Sequence, residues 1–245
     1  MATRPPTPPP AGRHVHSPLT DCLVALAGTP DDSSWIDTQL MAIVQLAADL
    51  VRPVSHASIT VQRDAAYTTV AADSGIALAV DEVQYADQRG PCLDALDGGS
   101  PTAVPNIPAT MAWPGFREAA RGLGLQASLS VPLFAGHGSP VAALNLYGRD
   151  AGAMSPLTVA VWSTFDAGGR GAGDTSGLDD GSAALIAGLV GAFAVRDLIQ
   201  QAIGVILSEQ HRSVDCAYLT LRLRAAETGR TLTETATEVI AEHLW

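Results

Sequence analysis

Residues 196–244 read RDLIQQAIGVILSEQHRSVDCAYLTLRLRAAETGRTLTETATEVIAEHL and give the strongest structural signal in the chain. Their apolar residues recur three and four positions apart, which is typical of amphipathic helices. Together with the apolar residues before it, the stretch predicts a long helix, Ile186–Gln210, and two shorter ones, Ser213–Thr228 and Thr231–Leu244. The same pattern allows the long helix to begin as early as Ser182.

Residues that commonly begin and end helices stand at these boundaries. Ser213 is placed to cap the second helix, and Gly229 stands where a left-handed residue would end it. Thr231 and Glu234 have the spacing of a capping box for the third helix. We therefore expect a packed three-helix module, whose last helix presents an apolar stripe formed by Leu232, Ala236, Val239, Ile240 and Leu244.

An alternating pattern typical of β-strands lies N-terminal to this module. It predicts one hairpin from Ala57–Val61 and Tyr67–Ala71, a second from Ala127–Phe134 and Val141–Tyr147, and a short strand at Thr102–Val104. Because helical patterns flank these hairpins, we expect an α+β fold with one antiparallel sheet, followed by the all-α module. Helices are predicted at Asp21–Ala27, at Trp35–Val51 with Ser34 as N-cap, within Leu78–Asp97 on both sides of Gly90-Pro91, at Pro114–Arg121 and at Pro156–Phe165.

Composition divides the chain of 245 residues into four parts. Residues 1–18 are rich in proline and predict a disordered arm, and the Gly-rich residues 167–182 predict a flexible linker. These flank a sheet domain at 19–166 and precede the helical domain at 183–245. The longest uncharged apolar run is shorter than the roughly 20 residues that a membrane helix needs, so we expect a cytoplasmic protein without a membrane contact.

The charge of the chain restricts its partners. The formal net charge is −11, and all 14 basic residues are arginine. An acidic protein repels polyanions over most of its surface, so any nucleic-acid contact must be local and built from arginine. The three cysteines are distant from one another, which favours a reducing compartment and predicts no metal site or other cofactor.

Three strings in the sheet region carry a family resemblance. They are DEVQYADQRGPCLDAL at 81–96, WPGFREAARGLGLQASLSVP at 113–132 and AALNLY at 142–147. In this order they resemble the GAF domains of actinobacterial GAF–ANTAR regulators. The resemblance implies a sensory module that holds a small molecule or mediates dimerisation, with a ligand that the sequence does not identify.

The chemistry-bearing residues of these strings have ordinary interpretations as well. Cys92 could be a redox sensor if a cation such as Arg89 lowered its thiol pKa, but a small buried apolar residue is the better interpretation. Asp81, Glu82 and Asp94 form no acid–base pair, and we interpret them as solvated helix charges.

The stretch 196–244 resembles the ANTAR domain, an RNA-binding antitermination module. The resemblance implies that the module holds a nascent transcript with two adjacent small hairpins and hexanucleotide loops, so that an overlapping terminator cannot fold. The matching positions are Ile199, Ala202, Gly204 and Leu207 on the first helix, Ala217, Leu221, Arg222 and Ala225 on the second, and Leu232, Ala236, Val239 and Ile240 on the third.

Five residues are candidates for the RNA contact. Arg222 matches the basic position of the family on the second helix, and Arg196 and Arg224 are further cations, although each could be a solvated helix charge. Gly204 inside a helix indicates close approach either of the third helix or of RNA. Ile203 stands where the family usually has a basic residue, which is a departure.

The long helix also predicts self-association. Its residues Ile186, Leu189, Val190 and Phe193 form an apolar strip with no evident partner in the helical domain. Pairing with a second copy would bury that strip, so we expect a homodimer.

Three functions are compatible with these observations. The first is an RNA-binding transcription antitermination regulator with a sensory domain. The second is a dimerisation or protein-interaction module whose RNA binding is weak or lost, favoured by Ile203 and by the net charge of −2 over residues 185–245. An enzyme is the least favoured, because the chain shows no nucleophile–base set and no phosphate-binding loop.

Overall fold

The computed structural model describes residues 17–170, 175–210 and 213–243. Residues 1–16 of the predicted arm and 171–174 of the predicted linker lie outside the described residues. The described helices are α1 (Pro18–Ala27), α2 (Ile36–Leu50), α3 (Gly75–Asp87), α4 (Pro91–Gly98), α5 (Pro114–Gly122), α6 (Ala151–Asp166), α7 (Asp180–Gln210), α8 (Val214–Thr228) and α9 (Leu232–His243). The strands are β1 (His56–Arg63), β2 (Ala66–Ala72), β3 (Thr102–Val104), β4 (Ala127–Phe134) and β5 (Pro140–Gly148).

The strands form one antiparallel sheet in the order β2-β1-β5-β4-β3. At its centre, Asn145 of β5 lies opposite Ser58 of β1 on one side and Ser130 of β4 on the other. The predicted α+β class, with a helical C-terminal region and a long first helix, is therefore confirmed.

The two faces of the sheet differ in chemistry, because successive side chains of a strand point to opposite sides. One face carries apolar residues such as Ile59, Leu129 and Leu144 and packs against α1, α2, α6 and the first half of α7. The other face carries buried polar residues and lies beneath α3 and α4, with α5 packed on α3. A polar group buried in this way needs hydrogen-bond partners.

Two predictions in the N-terminal part of the chain are corrected, one for the β1–β2 turn and one for the start of α2. The hairpin turn consists of Asp64 and Ala65, both with positive φ, and is tighter than the predicted loop Gln62–Ala66. Ser34 does not cap α2, because Trp35 occupies the cap position and makes no side-chain cap hydrogen bond.

Helix α6 begins at Ala151, more than one turn before Pro156, at which the sequence predicted its start. Asp150 caps it, since the carboxylate accepts hydrogen bonds from the N–H groups of Gly152 and Ala153 at 2.8 and 3.1 Å. Pro156 consequently lies inside the helix instead of at its start.

Helix α7 contributes to two separate apolar cores. Leu185, Ile186 and Leu189 lie in the core beneath the sheet, whereas residues from Ile199 onward belong to the helical core. The helix begins at Asp180, inside the range predicted as linker. A continuous helix therefore connects the interiors of the two domains.

The apolar strip that predicted a dimer is covered within its own chain. Ile186 and Leu189 are buried, and Phe193 meets Phe165 edge-on with ring centroids 4.9 Å apart. Helix α1 approaches so closely that a Cβ at Gly188 would lie 2.6 Å from the Leu23 side chain. The argument from an unpartnered strip is therefore wrong, because α1, which was not expected there, supplies the partner.

By length and composition alone, the segment Asp180–Ser208 of α7 could cross a bilayer, with a mean hydropathy of 1.7. The argument from a shorter uncharged run therefore underestimated the apolar length of this helix. Core helices of folded domains pass the same test, and α7 places buried side chains in both cores.

Candidate functional site

The second half of α7 packs with α8 and α9 into a three-helix unit. Apolar side chains of all three helices meet in its interior, which separates an inward-facing set of residues from the surface available to a partner. The buried residues are Ile199, Ala202, Ile203 and Ile206 of α7, Ala217, Tyr218, Leu221 and Ala225 of α8, and Leu232, Ala236 and Val239 of α9.

Local hydrogen bonds position α8 and α9 as their sequence signals predicted. Ser213 accepts a hydrogen bond from the N–H of Cys216 at 3.3 Å, and Gly229 is left-handed with φ of 65°. The Thr231 N–H donates to the Glu234 carboxylate at 2.9 Å, and the Glu234 N–H donates to the Thr231 hydroxyl at 3.1 Å. The bond from the Thr231 backbone lowers the pKa of the Glu234 carboxyl. All three predicted caps are confirmed.

Arg222 faces the sheet domain. Its Nη2 lies 2.6 Å from a carboxylate oxygen of Asp32 in the loop between α1 and α2, and its guanidinium carbon lies 5.7 Å from the ring centre of Tyr218. The hydrogen bond to Asp32 raises the pKa of Arg222, so the guanidinium stays charged. In this structure the arginine is therefore engaged by an acidic side chain of the other domain.

The other two arginine candidates lie elsewhere. Arg196 is half-buried with its guanidinium carbon 4.0 Å from the ring centre of Phe134, and burial lowers its pKa. Arg224 stands two residues from Arg222 on α8 and pairs with Glu242 of α9 at 3.8 Å. Residues two apart on a helix do not share a face. The structure thus does not bring the three arginines together.

Ile203 and Gly204 have opposite environments. Ile203 is 2% exposed in the helical core, so this position does not face a partner. Gly204 is exposed, and a Cβ built on it would meet nothing within 4 Å. Close packing of α9 therefore does not explain this glycine, and the interpretation as a contact with RNA remains untested.

Sequence analysis missed the side chains that join the two domains. The Tyr218 hydroxyl donates to Asp31 at 3.0 Å, and the Tyr218 ring lies 5.0 Å from that of His137 in the turn between β4 and β5. The Gln200 amide donates to the His137 carbonyl at 2.6 Å, and the His137 ring lies 3.5 Å from Asp215. No local signal could have revealed these contacts, because the partners are far apart in the chain.

A second missed cluster lies beneath α3 on the polar face of the sheet. Asp81 is fully buried, accepts a hydrogen bond from the Tyr147 hydroxyl at 2.5 Å and one from Thr69 at 2.9 Å, and lies 3.4 Å from the Asn145 amide. Burial raises the pKa of its carboxyl to about 6, although hydrogen bonds from Ser58, Tyr147 and Thr69 oppose the shift. The prediction that Asp81 is a solvated helix charge is therefore wrong.

The cluster extends to both helices above it. The Tyr85 hydroxyl lies 2.8 Å from that of Thr60 and 2.7 Å from that of Thr69, and the side-chain oxygen Oε1 of Gln84 accepts from the Cys92 N–H at 3.0 Å. Cys92 is itself buried, and burial raises the pKa of its thiol. A raised pKa disfavours the thiolate, which agrees with the interpretation as a small buried residue and not with a redox sensor.

Two polar atoms of this layer have no hydrogen-bond partner among the described residues, Oδ1 of Asn145 and Oγ of Ser128. Both side chains are almost completely buried, so each atom leaves hydrogen-bonding capacity unused. A signal for the cluster did exist in the sequence, since polar residues alternate along three paired strands at Ser58 and Thr60, Ser128 and Ser130, and Asn145 and Tyr147.

The described residues offer no group of three or more His, Cys, Asp or Glu side chains that could hold a metal ion. The Asp81 cluster can hold a proton, and the arginines of α8 can bind a phosphate or a carboxylate.

Two family models match the chain. One, described as a GAF domain, matches residues 37–165, slightly more than half of the chain. The other, described as an ANTAR domain, matches residues 187–240, a range that contains the helical core from Ile199 to Val239 and part of the first half of α7. A comparison with curated proteins found no match.

Solved structures resemble the chain at low similarity. A domain of a two-component sensor histidine kinase from Sinorhizobium meliloti 1021 is 14% identical, with 66% of this chain and 89% of that one covered and a TM-score of 0.38. The type II free methionine-R-sulfoxide reductase of Thermoplasma acidophilum is 14% identical, with 70% and 96% covered and a TM-score of 0.38. The nlh2 GAF domain of A. aeolicus is 12% identical, with 72% and 93% covered and a TM-score of 0.42.

Proposed function

This chain belongs to the GAF domain family and carries an ANTAR domain, and from that premise we propose that it is a transcription antitermination regulator that binds RNA through its three-helix unit. GAF and ANTAR domains are modules of signal sensing and of transcription regulation, and this combination is typical of regulators and not of enzymes. The proposed domains are residues 19–166 and 183–245, and because α1 begins at Pro18 and α7 at Asp180, the ordered elements start slightly before these bounds.

The observation that carries the proposal is the coincidence of the ANTAR match with a separately packed unit whose second helix presents arginine. The match spans 187–240, and the helical core lies within that range. Arg222 keeps its guanidinium outside this core, with 30% of the side chain exposed. A charged planar group on a rigid helix suits a loop of RNA, because guanidinium planes stack on bases and bind phosphates.

Two further residues support an RNA surface. Arg224 lies on another face of the same helix, where it is about two-fifths exposed and paired with Glu242, and it provides a second cation only to an RNA that extends around α8. Gly204 exposes the backbone of α7, which permits close approach of another chain. Arg196 remains a weaker candidate, because it is half-buried against Phe134. Ile203 is not part of the proposed contact, because its side chain faces the core.

The sensory part of the proposal rests on the Asp81 cluster. Its unpartnered atoms, Asn145 Oδ1 and Ser128 Oγ, offer hydrogen bonds to a small polar ligand that would enter between the sheet and α3. Helix α7 leaves the core on the opposite face of the same sheet and continues into the RNA-binding unit. A change in the sheet domain therefore has a direct helical connection to the output.

An RNA shift assay at stated salt tests the RNA function. The probe is a synthetic transcript with two adjacent hexanucleotide-loop hairpins, and a transcript with altered loops is its control. We expect Arg222→Ala to weaken binding and to reduce the log–log salt slope by about 0.7, as expected for one lost phosphate contact on a single strand. The control Arg121→Ala removes the same charge from an exposed position on α5, remote from the three-helix unit. This variant should bind RNA as the wild type does.

The alternative is a dimerisation or protein-interaction module with weak or lost RNA binding. It is favoured by the net charge of −2 over residues 185–245 and by the engagement of both Arg196 and Arg222 with the sheet domain. RNA crosslinking in cells that recovered no transcript from the wild type would favour this alternative over the RNA function.

A homodimer and a cytoplasmic location complete the proposal. The covered strip on α7 no longer supports the dimer, but Leu219 and Leu223 lie four residues apart on α8 and are about half exposed. Native mass spectrometry of the wild-type chain, and of a Leu219→Asp variant, would show whether a dimer forms and whether this face makes it.

A further inference from the structure

The loop between α1 and α2 reaches across the domain boundary with two consecutive acidic residues. Asp32 pairs with Arg222 at 2.6 Å. Asp31 accepts a hydrogen bond from the Tyr218 hydroxyl at 3.0 Å, and its own N–H lies 3.5 Å from the same hydroxyl oxygen. The loop therefore occupies two neighbouring side chains of one turn of α8.

Of the two occupied side chains, Arg222 is of a type that binds RNA. A guanidinium recognises a carboxylate and a phosphate by the same charge-assisted hydrogen bonds. Tyr218, in contrast, is buried in the helical core, and its hydroxyl serves to hold Asp31 beside Arg222. Here the Tyr218 ring lies against His137, and its hydroxyl is bound by Asp31. Asp31 and Asp32 thus present to α8 the negative charge that a transcript would present.

The contact is also of a kind that can be broken. Asp32 is 61% exposed and Arg222 is 30% exposed, and exposed ion pairs contribute little to stability because water competes for both partners. A transcript offers several phosphates at once, whereas the loop offers two carboxylates. RNA can therefore displace the loop without unfolding either domain.

We propose that the Asp31–Asp32 loop and RNA compete for Arg222, so that the described arrangement is a closed state in which the sheet domain restrains RNA binding. The inference rests on the proposed RNA function and adds its regulation. A signal that loosens the loop would raise RNA affinity, because binding no longer has to break these contacts. The loop follows α1, which packs on α7 in the sheet core, so the sensory domain is placed to move it.

The test uses the full chain with both acids neutralised, Asp31→Asn together with Asp32→Asn. The matched control is Asp49→Asn together with Asp64→Asn, which removes the same charge from exposed sites on α2 and on the β1–β2 turn. In the shift assay with the two-hairpin transcript, we expect the first variant to bind about tenfold more tightly than the control, because both competing carboxylates are lost. Adding Arg222→Ala to the first variant should remove the gain.

A second measurement follows the loop directly. Hydrogen–deuterium exchange of the amides in residues 29–35 should become faster when RNA is added to the wild type, because the loop leaves α8. If the neutralised variant binds RNA no better than its control, and RNA leaves the exchange of the loop unchanged, competition is wrong while the RNA function stands. If no variant binds RNA even at low salt, the RNA function itself fails and the competition fails with it.

Discussion

Arg222 on α8 and Asp32 in the α1–α2 loop form an ion pair of 2.6 Å across 190 positions of sequence. The pair joins a residue within the range of the ANTAR match to the loop that precedes the range of the GAF match. The strength of this ion pair matters. A weak pair can act as a reversible restraint on RNA binding, whereas a strong pair would be a structural brace that holds the two domains together.

Asp32→Asn is expected to change the free energy of unfolding by about 1 kcal/mol or less, because Asp32 is mostly exposed to solvent and Arg222 partly so. Urea unfolding followed by circular dichroism measures the change, with Asp49→Asn as the control for charge. A loss of more than about 2 kcal/mol would identify the pair as a brace and contradict the reversible restraint.

Asp81→Asn should remove a pH dependence of stability. The carboxyl has a pKa of about 6 in the folded chain against 3.8 as its ordinary value, so folding favours the protonated form. This contribution is fully present below pH 3.8 and is lost as pH rises through about 6. Relative to Asp81→Asn, the wild type should therefore lose up to about 3 kcal/mol of stability between pH 4 and pH 7.

Urea unfolding at several pH values tests that expectation. Glu82→Gln is the matched control, because Glu82 is the exposed neighbour of Asp81 on α3 and should keep the wild-type dependence. Parallel pH profiles for the wild type and Asp81→Asn would show that Asp81 keeps its ordinary pKa.

Ile203→Lys should destabilise the helical unit by about 3 kcal/mol or more, because it places an ammonium group in an apolar core. Because Ile203 stands where the family usually has a basic residue, the sequence alone would instead suggest that lysine at this position creates RNA affinity. Gln201→Lys adds the same charge at an exposed position two residues away and should fold normally. Thermal unfolding and the RNA shift assay together separate the two expectations, and a stable Ile203→Lys chain with new RNA affinity would contradict the buried placement.

Two glycines of α7 should respond oppositely to alanine. Gly204→Ala should stabilise the chain by up to about 1 kcal/mol, because nothing lies near the added Cβ and alanine favours a helix. Gly188→Ala should destabilise it by about 1–3 kcal/mol, because the Cβ would lie 2.6 Å from Leu23.

If RNA approaches the backbone at Gly204, the stabilised Gly204→Ala variant should also bind RNA less well than the wild type. Unchanged affinity would remove Gly204 from the contact.

Local sequence was sufficient to predict which helices and strands the fold contains. Strand β4 and strand β3 have the predicted limits, and the caps at Ser213, Gly229 and Thr231 form as expected. These features depend on neighbours within four residues or on strict alternation, and both can be read from a short window. The order of the resembling strings then indicated the two domain families, which the family matches confirmed.

Tertiary packing supplied the rest, because it depends on residues that are distant in sequence. Asp81 looks like a surface charge on α3, and only the sheet beneath it makes it a buried acid. Ile203 looks like a lost cation, and only the packing of α8 and α9 makes it core. Arg222 was identified from its position in a motif, but its engagement by Asp32 arises because α1 packs on α7 and carries the acidic loop to α8, which no local pattern encodes.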